Sequence, residues 1–238
     1  MKQTARLSAR IARLLGAAAL AGLLAGLLGA CAGTPPPPDW KINAQGALES
    51  FEKRHLDGDS RLAALSFERA RAEISRTGRP ELVARAELIR CAVELAALDD
   101  RHCAVLGQTR GTFTPADAAY ADFLAGRWQG LDTRQLPETY RALVAARDDS
   151  SRQAALAAIK APTSRLIAAS VLFRRQNLAP AGIDLAIDTA AERGWRRPLL
   201  AWLGVQRQRA AAAGDSAAIT ALQARIDLVE RSLPKSAP

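Results

Sequence analysis

The chain has 238 residues, with 33 Lys and Arg against 24 Asp and Glu and a formal charge of +9. That length suits one good-sized domain or two small ones. Only two His and three Cys are present, so Cys91, His102 and Cys103 fall one ligand short of a four-ligand structural zinc site.

Lys2, Arg6, Arg10 and Arg13 precede any acidic residue, and Leu14 to Ala30 is a run of seventeen Leu, Ala and Gly. A membrane-spanning helix needs about 20 apolar residues, and Gly16, Gly22, Gly26 and Gly29 weaken the run as a helix. A basic flank, a short apolar run and small residues before a cut are the marks of an export signal. The run ends in Leu28-Gly29-Ala30-Cys31, which resembles the lipobox of bacterial lipoproteins. The resemblance implies cleavage between Ala30 and Cys31, with diacylglyceryl and acyl groups (palmitate among them) on Cys31 as the new first residue. More than one acyl chain anchors a protein firmly to a bilayer. Ala32, where an Asp would favour inner-membrane retention, implies sorting to the outer membrane, facing the periplasm. Pro35 to Pro38 read as an extended polyproline spacer, and Asp39-Trp40 as the start of the folded part. The organisation expected is therefore a signal peptide over 1–30, a lipidated Cys and spacer over 31–39, and a helical domain over 40–238.

Removing residues 1–30 takes four basic residues and lowers the net charge from +9 to +5. No nucleic-acid partner is expected of an exported chain with that charge. Of the 33 basic residues 28 are Arg, which codon bias explains as well as an anion-binding role does.

Downstream of the spacer the pattern is helical throughout. Ala44, Leu48, Phe51 and His55 share one face, ended by Asp57-Gly58-Asp59. Ala63, Phe67, Ala70 and Ile74 form the next face, with Gly78 as its stop. Pro80 opens a third helix carrying Ala84, Leu88, Cys91 and Leu95 and ending around Leu98. Asp99-Asp100 then starts a turn that returns Cys103 alongside Cys91. An exported chain can oxidise that pair, so a Cys91–Cys103 disulfide is expected, with two buried free thiols as the alternative. Residues 104–114 carry the weakest pattern and read as a loop or a boundary between two subregions.

Thr114-Pro115 opens a short helix with Ala119 and Phe123 inward, and Leu136-Pro137-Glu138 opens one with Tyr140, Leu143 and Val144. Ser150 or Ser151 is expected to cap the helix of Ala155, Leu156 and Ile159. Pro162 begins an apolar helix through Leu166, Ala169, Ser170 and Phe173. Ile183, Ala186, Ile187, Ala190 and Ala191 follow, then Leu199, Trp202, Leu203 and Gln206. Asp215 or Ser216 caps a last helix with Ile219, Leu222, Ile226 and Val229. About ten helices with short connections predict an all-α fold of antiparallel hairpins.

Phe67, Ala70 and Ile74 before Gly78, then Ala84, Leu88 and Cys91, resemble the large–small packing residues of a tetratricopeptide repeat. Trp202 and Leu203 before Gly214-Asp215, then Ala218 and Leu222, resemble a second. The Gly-to-Ala step is six residues in one copy and four in the other, Arg225 replaces a small residue, and no 34-residue period runs through the middle. The resemblance implies hairpins stacked as an α-solenoid with a binding groove.

Among chemical candidates, His55 and His102 read as cap or surface residues without a carboxylate partner on their own helical faces. Glu49-Ser50 is similar to the catalytic Glu-Ser of lytic transglycosylases, but the Gly-rich segment that should follow is missing, and Glu49 reads as a solvated acid. No nucleophile elbow, phosphate loop or zinc helix is present. Asp99-Asp100 and Asp148-Asp149 sit where turns and caps need acids. Arg193, Trp195, Arg196 and Arg197 cluster at a hairpin, either as a binding site for an acidic glycan, a carboxylate or a partner's acidic helix or as an inward Trp flanked by solvated arginines. The expected function is a lipid-anchored, non-catalytic envelope scaffold, without cofactor or metal, that binds a partner protein or peptide. The alternative is a cell-wall or anionic-ligand binder that uses the Trp/Arg cluster.

Overall fold

A computed structural model describes residues 36–233, so Ala30 and Cys31 lie outside the described residues. A compact unit begins at Asp39. Among the described residues it is entirely helical, with eleven α-helices and no strand. These are α1 (Asp39–Leu56), α2 (Ser60–Ser75), α3 (Pro80–Leu95), α4 (Val105–Thr109), α5 (Pro115–Leu124) and α6 (Glu138–Ala145). There follow α7 (Asp149–Ala158), α8 (Pro162–Arg174), α9 (Pro180–Glu192), α10 (Arg196–Ala212) and α11 (Ser216–Arg231).

The boundaries have local causes. Proline occupies the first turn of α3, α5, α8 and α9, where its missing N–H would have had no helical partner. Asp59 and Asp215 cap α2 and α11 by accepting from the amides of Leu62 and Ala218, each at 2.9 Å. Thr114 and Asp117 cap α5 reciprocally. Asp148 caps α7, with Ser151 as its reciprocal partner, which corrects the expected serine cap. The carboxylate takes the amide and Ser151 returns a bond to the cap residue. Helix α3 ends at Leu95, earlier than the sequence pattern indicated, because Leu98 turns to a positive φ of 60° and brings the chain round. Residues 104–114, expected as a loop or boundary, form α4 and a 3₁₀ turn over Arg110–Thr112, with Leu106 in the core.

Two apolar cores meet on α3. A small one joins Ala44 and Phe51 of α1, Ala63, Phe67 and Ile74 of α2, and Ala86 and Val93 of α3. The large one gathers Leu88, Cys91, Ala92 and Leu95 of α3 with residues of α4 through α11. Helix α3 therefore presents apolar side chains to both cores, with Glu81, Arg85, Glu87, Arg90 and Glu94 placed between those faces. Trp202 of α10, fully buried, reaches across to donate from Nε1 to the Ala96 carbonyl at 3.4 Å. Burying a side chain of that size contributes roughly 2–3 kcal/mol. Successive helices α8 to α11 pack on one another, and α10 also touches α1. A one-dimensional repeat stack touches only neighbours, so the α1–α10 contact departs from that plan. Phe173, expected inward, is 36% exposed and meets Trp202 edge-on at 5.8 Å. Ala191, also expected inward, is exposed in the last turn of α9.

Candidate functional site

The turn after α3 is the chemically densest part of the molecule. Cys91 and Cys103 are joined by a disulfide with Cα atoms 4.9 Å apart, as the reversal at Asp99-Asp100 predicted. The bridge forms one wall of a cavity of about 600 Å³. Leu106 of α4 and Ala121 and Leu124 of α5 supply apolar wall, while Arg101, Arg110, Arg127 and Arg174 line its polar part.

Carboxylates fix these arginines. Arg110 donates through Nη1 and Nη2 to the two oxygens of Asp122, both at 2.8 Å. Arg127 donates to the same Asp122 through Nε and Nη2 at 2.9 and 2.7 Å. The Arg110 hydrogen bonds, with Arg127 adding to them, hold the Asp122 carboxyl below the usual carboxylate range. Arg101 donates to Asp99 at 2.5–3.1 Å and drives that carboxyl to about 2. Arg174 lies 3.3 Å from Asp100. Two guanidiniums on Asp122 leave a local cationic excess, and planar arginines suit oxyanions bidentately.

A second polar system occupies the other side of the same turn. Glu94, 4% exposed, accepts from Arg90 Nε at 3.1 Å and pairs with His102 Nδ1 at 2.8 Å. Arg90 also contacts the other ring nitrogen of His102 at 2.7 Å and lies over the Phe67 ring at 4.7 Å. His102 thus has a carboxylate partner that the sequence reading did not find. The pair is eight residues apart across a turn, a step that along a continuous helix would separate them by about 12 Å. His55 is 5% exposed rather than at the surface, and its Nε2 has no hydrogen-bond partner among the described residues. Burial first, and Arg197 second, pull its pKa down to about 3.

The expected Trp/Arg cluster is divided between roles. Arg196 Nε donates to the Asp57 carbonyl at 2.8 Å and its Nη1 to the Ser232 carbonyl at 2.8 Å. Arg197 donates to the His55 carbonyl at 2.8 Å and to Ser60 Oγ at 2.5 Å. Arg197 thus supports a carbonyl in the last turn of α1, which also accepts from the Gly58 amide at 3.1 Å, and Arg196 the carbonyl just after the helix, so neither is the solvated arginine of the second alternative. Trp195 packs half-buried against the large core with Arg193 5.4 Å over its ring. Both arginines of the clamp are half-buried, which leaves Arg193 as the exposed cation of the four.

Comparison with family models, curated proteins and solved structures finds no match. Another concave feature is a groove of about 520 Å³ between α9, α10 and α11. Ile183, Ala210, Ala213, Ala218, Ala221 and Leu222 form its apolar wall, with Asp184, Arg209 and Arg225 at its edges. Among the described residues, no three His, Cys, Asp or Glu side chains are grouped to hold a metal ion, and no helix is long and apolar enough to cross a membrane. Glu49 is exposed on α1 and accepts only from Gln45, at 2.9 Å.

Proposed function

We propose that this chain is a lipid-anchored envelope scaffold, acylated at Cys31 and facing the periplasm from the outer membrane, that binds an extended or helical segment of a partner protein without catalysis. Hairpins α2–α3 and α10–α11 are its tetratricopeptide-like elements. The observation that carries this reading is the open groove along α9, α10 and α11, since small side chains on stacked helices let a partner backbone come close. The Cys91–Cys103 bridge fits an oxidising compartment, where such bonds persist.

A photo-crosslinker at exposed Ala213, on the groove, should give one stoichiometric partner adduct in intact envelopes, and the same group at exposed Ala64 of α2 should not. Equal labelling from both positions would reject the groove. Replacing Cys31 by Ser should abolish acyl labelling and leave an uncleaved or soluble precursor; unchanged labelling would remove the anchor.

A further inference from the structure

We propose that the cavity beside the disulfide is a binding site for a small anionic amphiphile, an oxyanion headgroup carrying a short alkyl chain. It is separate from the partner groove and does not depend on it. Four guanidiniums and a single carboxylate, Asp100, line the cavity, whereas Asp99 and Asp122 stand behind them. Pairing with those carboxylates does not exhaust the arginines. Among the described residues, no hydrogen bond uses Nη1 of Arg101 or Arg127, or Nε of Arg110. Asp122 therefore acts as a positioning residue, holding two guanidiniums in place so that little ordering entropy remains to be lost on binding.

The deeper wall has the opposite character. Away from the guanidiniums the lining is apolar in residue type: Ala104, Gly107 and Ala125 are exposed there, and Leu106, Ala121 and Leu124 complete it from the core. A volume of about 600 Å³ falls within the usual range for ligand pockets. It exceeds what a bare phosphate or carboxylate would fill. A ligand matching both surfaces has two or more anionic oxygens at one end and several methylenes at the other. Each methylene buried should tighten binding about fourfold.

Phosphate and carboxylate headgroups share this chemistry, and titration calorimetry of the purified chain separates them. Octyl phosphate and octanoate are the test ligands, with inorganic phosphate and octanol as the half-ligands. At least one of the two amphiphiles should bind at least tenfold more tightly than either half-ligand, and which one is tighter names the headgroup. Raising salt from 50 to 500 mM should weaken it severalfold. The double variant Arg101→Gln/Arg174→Gln alters side chains that are 72% and 39% exposed, so the fold should persist by circular dichroism while affinity drops at least tenfold. Gly107→Phe fills the cavity from α4, where an added Cβ meets nothing within 4 Å, and should also abolish binding. The proposal is overturned if neither amphiphile binds at millimolar concentration, if octanol matches them, or if both variants keep wild-type affinity. Partner crosslinking from the groove would be unaffected by any of these results.

Discussion

Arginines flank the end of α3 on two sides, and they hold different kinds of acceptor. On the α1 side, Arg196 and Arg197 donate to main-chain carbonyls of the last turn of α1 and of the residue just after it. On the α5 side, Arg110 and Arg127 donate to a side-chain carboxylate and are exposed, with side chains 47% and 60% accessible. A guanidinium serving backbone carbonyls ties two helices together, because the carbonyls cannot move without the helix. One serving a carboxylate near water is interchangeable with solvent and contributes little to stability, yet remains available to a ligand. Residue type and charge alone do not separate the two roles; the acceptor does.

The disulfide stands between these two sides, and breaking it should have the largest effect. The bridge closes a loop of 12 residues, for which the chain-entropy relation gives about 3 kcal/mol. Cys91→Ala/Cys103→Ala, followed by urea unfolding, should show a loss of that size. Because the turn carries Asp99 and Arg101, the variant should also weaken octyl phosphate binding while leaving the α1–α10 clamp intact. A loss below about 1 kcal/mol would mean that the packing of Leu95, Leu106 and Trp202 holds the turn without the bridge.

What the sequence made legible follows helical periodicity closely. Ala63, Phe67, Ala70 and Ile74, then Ala84, Leu88, Cys91 and Leu95, are all buried, because spacings of three and four place them on one face. The Cys91–Cys103 bond was also legible, since it needs only a helix and a reversal. The clamp was not. Arg196 and Asp57 are 139 residues apart in sequence, and the acceptor is a carbonyl, which every residue carries. His102 and Glu94 escaped for a related reason, the turn between them having no periodic signature. The cavity arginines come from four separate stretches of chain, and only folding puts them in one place. His55 fell on the predicted inner face of α1, but its depth depends on α10 arriving from the far end of the chain.

The comparison of the two arginine sets sharpens into a pair of single changes. Arg197→Met should cost about 1–2 kcal/mol, since it removes two hydrogen bonds, to Ser60 and to a His55 carbonyl that keeps only the Gly58 amide. Arg127→Met should change stability by no more than about 0.5 kcal/mol, because Asp122 keeps Arg110 and the pair is largely exposed. Chemical unfolding of the two variants side by side checks both values. Equal losses would erase the distinction between clamp and rim.

A smaller effect tests the clamp through pH. The folded chain keeps His55 neutral down to about pH 3, whereas the unfolded chain protonates it near its ordinary value of 6.5. Stability from this site is therefore complete above pH 6.5 and is lost as the pH falls toward 3, since the unfolded state binds the extra proton first. Between pH 6.5 and pH 5.5 the loss should be about 1 kcal/mol, in a window above the range where Asp and Glu titrate. Arg197, Arg101 and Arg90 oppose a charge on His55, and Asp99 alone favours it. Arg197→Met should accordingly flatten the pH dependence, and His55→Phe should remove this contribution to it. If the wild type and His55→Phe lose stability in parallel over that interval, the histidine is reached by water in solution. The clamp at the end of α1 would then be looser than its carbonyl hydrogen bonds imply.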